Sequence, residues 1–289
     1  MTIDNLIFGI IYITVFLLLF YLGKLAYHLI HRDYNLNIEL VEKDNPSVAL
    51  AVTGYYFGLL LALGACFVGP SKGLVNDLLS LGIYGIQSII LLNISTILCD
   101  RIILYKFKVK DELLRDRNQG TGAVVFGTSI ASGFVIYGAV SGEGGSIWTA
   151  FVFWALGQIL LVIATHVYNL MISFDIHDEI EKDNVAAGIA FSGALISMGI
   201  IVGLAAEGDF YSWSDNLSTF CKYALLGLVV LPFIRMLTDR ILLPGVSLSD
   251  EIVGLKPDKS REERGPNTGA AYIEAFSYIA GSFIIFWCI

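Results

Sequence analysis

The sequence predicts an all-α integral membrane protein: eight transmembrane helices, paired as four hairpins and grouped in two parallel-oriented four-helix repeats. Three observations carry this. Of 289 residues, 56% are hydrophobic and only 15% charged, with a mean hydropathy of +0.71, which leaves too little polar surface to cover a soluble globule. The charges cluster, and the apolar stretches between them are long enough to cross a hydrocarbon core of about 30 Å. The chain also matches itself at an offset of 139 residues.

The eight stretches lie at 5–31, 47–69, 78–104, 121–141, 147–173, 185–206, 217–243 and 268–289. They lack the strict alternation of barrel strands and are too long for them. The first has no basic leader and no small-residue cleavage site, so it reads as a retained helix rather than a signal peptide. Lys and Arg then orient the helices. The connections after helices one, three, five and seven hold fourteen basic residues, among them Arg32, Lys43, Lys182, Lys256, Lys259, Arg261 and Arg264; the opposite side holds two, Lys72 and Lys222. Basic residues resist translocation, which places those connections in the cytoplasm and both termini outside it. Trp148, Trp213 and Trp287 fall near the outer helix ends, where an amphipathic indole is favoured.

The self-match pairs Tyr84 with Tyr223, Asp100-Arg101-Ile102 with Asp239-Arg240-Ile241, and Asp111-Glu112 with Asp250-Glu251. Glu42-Lys43-Asp44-Asn45 pairs with Glu181-Lys182-Asp183-Asn184, and Gly54 and Gly64 pair with Gly193 and Gly203. A weaker offset of 73 relates Asn45 and Gly54 to Asn118 and Gly127. The repeats are therefore residues 1–139 and 140–289 of one membrane domain. An even number of helices per repeat gives both halves the same orientation, with a pseudo-two-fold axis along the membrane normal.

Two runs carry a family likeness. Phe174-Asp175-Ile176-His177-Asp178-Glu179-Ile180, followed by Asn184-Val185-Ala186-Ala187-Gly188-Ile189, resembles the YjfL-like bacterial family of unknown function. So does Leu237-Thr238-Asp239-Arg240-Ile241-Leu242-Leu243-Pro244 followed by Leu248-Ser249-Asp250-Glu251-Ile252. The likeness covers nearly the whole chain as tandem copies of the family unit, and it implies a bacterial inner-membrane protein with no settled activity.

Each even-numbered helix follows an asparagine: Asn45, Asn118, Asn184 or Asn267. Such a side chain caps the first turn; alternatively, four helix N-termini face an anion on the cytoplasmic side. The same helices are rich in glycine (Gly54, Gly58, Gly127, Gly133, Gly188, Gly193, Gly199 and Gly203), which lets backbones approach closely in lipid. That makes the even helices central, and it also suggests homodimerisation through glycine-rich faces. Each cytoplasmic connection carries an acid followed by an aliphatic residue, at Glu39, Glu112, Glu179 and Glu251, as in a short interfacial helix. The acidic run from Asp175 to Asp183 lacks calcium-loop spacing and reads as solvated, so no metal and no cofactor are expected. The basic loop with Lys106, Lys108 and Lys110 suits anionic lipid headgroups.

The candidate site is in the last helix. Aligning Thr121-Gly122-Ala123 with Thr268-Gly269-Ala270 sets Glu274 opposite Gly127, a carboxylate where the other hairpins have glycine. At 1.5 Å per residue, Glu274 lies ~9 Å beyond Thr268, inside the hydrocarbon zone. Lys24, Arg235, His166, Asn93, Thr96, Asn169 and Tyr278 lie at related depths and are expected to face the interior. A buried Glu274–Arg235 ion pair fixing the packing is one use of these groups. Proton exchange at Glu274, with His166 as relay and Lys24 and Arg235 as counter-charges, is the other.

Hydrolase, redox and phosphate-loop motifs are missing, and no long soluble segment interrupts the spans, so an enzyme is not expected. The net charge of −8 disfavours nucleic acid. Cys66, Cys99, Cys221 and Cys288 are scattered without paired spacing, against a disulfide framework. The sequence favours a transporter or channel-like protein moving a proton, ion or small solute near Glu274. The competing reading is a scaffold whose loops recruit partners or lipids.

Overall fold

The computed structural model describes residues 3–255 and 265–288, with side chains from residue 6 onward. Lys256, Lys259, Arg261 and Arg264, counted above on the basic side, lie outside the described residues. Eight helices are long and apolar enough to span a membrane. They are α1 (Ile3–Ile30), α2 (Pro46–Gly64), α3 (Leu74–Leu98), α4 (Gln119–Val140), α5 (Ile147–Met171), α6 (Val185–Ala206), α7 (Trp213–Leu237) and α8 (Thr268–Cys288). The chain is a multi-pass membrane protein. Two helices begin four residues earlier than the apolar pattern predicts, because their first turns are polar. Ser212 accepts the Asp215 amide at 3.1 Å to start α7, and Asp77 sits in the first turn of α3, where the helix dipole favours an acid.

The connections after the odd helices gather on one face, called here the basic face. Each carries a short helical segment: Ile38–Glu42, Glu112–Asp116, Ile176–Glu181 and Leu248–Val253. The ends of α3 and α7 widen into π turns, Cys99–Ile103 and Thr238–Leu242, closed by bonds from Leu104 to Cys99 (2.8 Å) and from Leu243 to Thr238 (3.0 Å). These turns hold the two copies of the Asp-Arg-Ile signature. Arg101 and Arg240 point outward beside the exposed Ile102 and Ile241, while Asp239 turns inward and accepts the Leu248 amide at 3.0 Å. Trp148 and Trp287 are exposed near the opposite helix ends.

The even helices stand in a row, α2–α4–α6–α8; α3, α5 and α7 pack into the grooves between consecutive members, and α1 lies outside on α3 and α2. One register repeats along the row. A Cβ at Gly54 would fall on the Phe126 backbone, one at Gly127 on Ser192, and one at Gly193 on Ala275. Only glycine lets the backbones come this close, and close van der Waals packing is what lipid offers in place of a hydrophobic drive. The seam is used within the chain: Gly58, Gly133, Gly188, Gly199 and Gly203 also meet the backbones of neighbouring helices. The glycine faces expected to join two copies are therefore already filled.

Centrality is not shared equally among the even helices. The spanning windows of α6 and α4 are 89% and 67% buried, but that of α8 is 33% buried, since α8 ends the row with Tyr272 and Phe276 exposed. The window of α1 is 11% buried.

The seam also corrects the alignment of the last hairpin. Phe126, Ser192 and Ala275 each stand eight residues after their asparagine (Asn118, Asn184, Asn267). Glu274 stands seven after Asn267, so its counterparts are Val52, Val125 and Phe191, all buried, and not the glycines. The Thr-Gly-Ala match misled by two residues, because the fourth connection runs 16 residues from Glu251 to Asn267 where the second runs 6 from Glu112 to Asn118.

Gly193→Leu is expected to lower the thermal unfolding midpoint in detergent, with an overpacking cost of about 1–3 kcal/mol. Gly82→Leu, at a position with nothing within 4 Å of the added Cβ, should leave the midpoint in place.

Candidate functional site

The geometry begins at the asparagines. Each Oδ1 accepts from the first turn of its helix: Val48 on Asn45 at 3.3 Å, Thr121 on Asn118 at 3.0 Å, Ala187 on Asn184 at 3.0 Å and Ala270 on Asn267 at 3.1 Å. Each Nδ2 donates to the acid of its own connection: Glu39 (3.2 Å), Glu112 (2.8 Å), Glu179 (3.1 Å) and Glu251 (2.7 Å). The anion at each helix N-terminus is thus the chain's own carboxylate, placed where the dipole favours it. In the first three hairpins Nδ2 also reaches the next connection, at the carbonyls of Leu113 (2.9 Å), Ile180 (2.6 Å) and Ile252 (3.0 Å). A spacing of five or six residues between Glu and Asn was the signal for this coupling in hairpins one to three.

Ion pairs tie the connections together. Lys106 binds Asp175 (2.8 Å) and Asp178 (2.6 Å), and Lys110 binds Asp33 (2.9 Å). These two lysines, expected to meet anionic headgroups, instead face carboxylates of neighbouring connections; Lys108 remains exposed. Burial alone would raise Asp175, but the Lys106 ammonium holds it below its ordinary value. Burial would likewise raise Glu39, and Lys43 and Asn45 together bring it below. Glu112 is raised by burial, with the Asn118 amide only partly opposing.

The interior polar site joins α5, α7 and α8. Glu274 is 0% exposed and paired with Arg235, which is 5% exposed. The Tyr168 hydroxyl donates to Glu274 Oε1 at 3.3 Å, and the Arg235 guanidinium lies 5.8 Å from the centre of the Tyr168 ring. Arg235 also donates to Ser249 Oγ at 2.9 Å, in the short helix of the fourth connection. Two atoms are left over. Glu274 Oε2 and the Tyr278 hydroxyl are buried without a hydrogen-bond partner among the described residues.

The other candidates do not join this cluster. Lys24 is exposed, in line with Leu17, Tyr21 and His28 on the outer face of α1, where its long stem can reach the headgroups. His166 is exposed in the outward stripe of Ile159, Ile163 and Leu170, so it cannot relay a proton to Glu274. Asn93 is buried but donates to the Tyr55 hydroxyl at 2.9 Å, in the first half. Asn169 accepts the Ile176 amide at 3.0 Å and starts a short helix. Asp100 is the counterpart of Asp239 in the π turn Cys99–Ile103. Tyr168 and Ser249 were missed: neither hydropathy nor repeat spacing distinguishes them.

Two cavities flank the interior. One of about 550 Å³ opens on the face opposite the basic one, among Lys72, Asp77, Glu143 and Asp209. The other, of about 340 Å³, lies at the start of α8 between Glu251, Gly254, Asn267 and Thr268. Neither is lined by Glu274, Arg235, Tyr168 or Tyr278.

A family described as Domain of Unknown Function (DUF350) matches residues 1–140 and again residues 144–289. The chain belongs to the DUF350 family. Its two matches give two repeat halves, tandem copies of one family unit of unknown function. The DUF350 chain is 22% identical over 260 residues to the UPF0719 transmembrane protein of Aquifex aeolicus (strain VF5), covering 89% of this chain and 90% of that one. No solved structure matches it.

Asn184→Ala removes a cap and a bridge to the next connection, and should cost more than the ~1 kcal/mol of a lost cap. Asn267→Ala, with no bridge to a next connection, should cost about the cap alone; paired thermal melts compare them. The Lys106 clamp has a defined pH dependence. With Asp175 depressed in the folded state, its stabilisation is present above the ordinary carboxylate value and disappears as pH falls through the depressed one. The gap in unfolding midpoint between wild type and Lys106→Ala should be widest near neutrality and close in acid.

Proposed function

We propose that this DUF350 protein is a transporter of the bacterial inner membrane that moves a proton, ion or small solute past Glu274. The basic face lies in the cytoplasm and both termini lie outside. The observation that carries the reading is the pair of unpartnered atoms, Glu274 Oε2 and the Tyr278 hydroxyl, buried at membrane depth beside an ion pair. Unpaired buried polar atoms cost about 1–3 kcal/mol each. A site that only fixed packing would be better served by the Val or Phe found at the counterpart positions. The two unjoined cavities fit an occluded arrangement, in which access from either face requires a change of conformation.

A scaffold is the second reading. It is favoured by the backbone-to-backbone seam and by the connections locked together through Lys106, which make a firm platform on the basic face. The two readings separate in reconstituted liposomes. Transport requires that Glu274→Gln abolish proton-dependent flux while Glu112→Gln leaves it measurable. A scaffold tolerates Glu274→Gln and loses partner binding when Glu112 or Glu251 is changed. Undiminished flux in Glu274→Gln would remove the transport reading.

A further inference from the structure

We propose that the species exchanged at Glu274 is a proton taken up from the basic face, and that its arrival frees Arg235 and loosens the short helix Leu248–Val253. The proposal rests on the transport reading and narrows it to one substrate class. Space is the first argument. Glu274 is fully buried and lines neither of these two cavities, which favours an occupant that needs no space of its own.

The second argument is the pairing of the leftover atoms. Tyr278 lies one turn beyond Glu274 on the same face of α8, beside both charges. A proton bound to a lone pair of Oε2 turns that oxygen into a donor, and the Tyr278 hydroxyl oxygen can accept. The same hydroxyl can donate to the charged carboxylate, so Tyr278 offers Oε2 a partner in either protonation state without admitting a heavy atom. No bond breaks within the protein; the carboxylate becomes a neutral acid and Arg235 keeps its charge.

The third argument is what Arg235 holds. It joins Glu274 Oε1 to Ser249 Oγ, and the Ser249 helix supplies the Ile252 carbonyl that accepts from Asn184, the cap of α6. Neutralising Glu274 removes the charge that draws Arg235 inward, and the change passes through Ser249 to the head of the most buried helix. The cavity beside Glu251 and Thr268 lies on the approach from the basic face, with Thr268 ~9 Å from Glu274 along α8. The charged and titratable groups around Glu274 are Arg235 from α7, Asp239 from the π turn after it, Tyr168 from α5 and Tyr278 from α8. From α6 comes Phe191, which does not titrate, through its contact with Tyr168. Asp250 and Glu251 flank the site in the Ser249 helix.

Infrared difference spectra of the full chain in lipid nanodiscs, recorded across a pH jump, read the proton directly. Wild type should gain a protonated-carboxyl band on acidification that is missing from Glu274→Gln and shifted in Tyr278→Phe. Hydrogen exchange at residues 248–253 should rise on acidification in wild type and be raised at every pH in Glu274→Gln. Coincident spectra for wild type and Glu274→Gln, or exchange at 248–253 that ignores both pH and the variant, would overturn the proposal. The band does not depend on flux: a band with no liposome flux sinks transport and leaves the proton site standing, whereas flux with coincident spectra does the reverse.

Discussion

The fold depends on one side chain used four times. An asparagine amide has one acceptor and two donor hydrogens, and a helix entering lipid leaves unpaired N–H groups that water cannot satisfy. In the first three hairpins the asparagine caps its own helix, grips the acid of its own connection and reaches the backbone of the next. Hairpin-to-hairpin spacing on the basic face is thereby set by hydrogen bonds. Within the membrane it is set by glycines lying against the neighbouring backbone. The two constraints agree in register, which is why the same offset from asparagine recurs at Phe126, Ser192 and Ala275.

On this repeated frame the two halves differ in charge. Shifted by the 139-residue offset, Arg235 falls on Thr96; counted from the asparagines, Glu274 and Tyr278 fall on Val125 and Ser129. The first half fills its equivalent layer with neutral groups, and the second half places a guanidinium, a carboxylate and two tyrosines there. A buried charge is tolerated in lipid only with its partner at hand. Each member of the pair is therefore tolerated at this depth by the other.

The connections are more than links between spans. Lys106 and Lys110 bridge to acids in adjacent connections, and the Ser249 helix touches both the interior pair and the cap of α6. The basic face is thus mechanically continuous with the interior site. The opposite face turns through glycines of positive φ at Gly69, Gly142 and Gly208 around the larger cavity.

Spans, their number and the division into repeats were readable from the chain, because partition into lipid is decided residue by residue and adds along a stretch of about 20. The asparagine caps were readable for the same reason, since a cap and its first turn are local. The burial of Glu274 was also visible, as a lone acid in an apolar run. Its register was not: a ten-residue insertion near Asn267 shifted the match, and only backbone contact between helices restores it. Nor could the partners be chosen. Lys24, His166 and Arg235 share a depth, but depth says nothing about azimuth, and which face of a helix turns inward is settled by its neighbours. Packing put Arg235 and Tyr168 against Glu274 and left Lys24 and His166 facing outward.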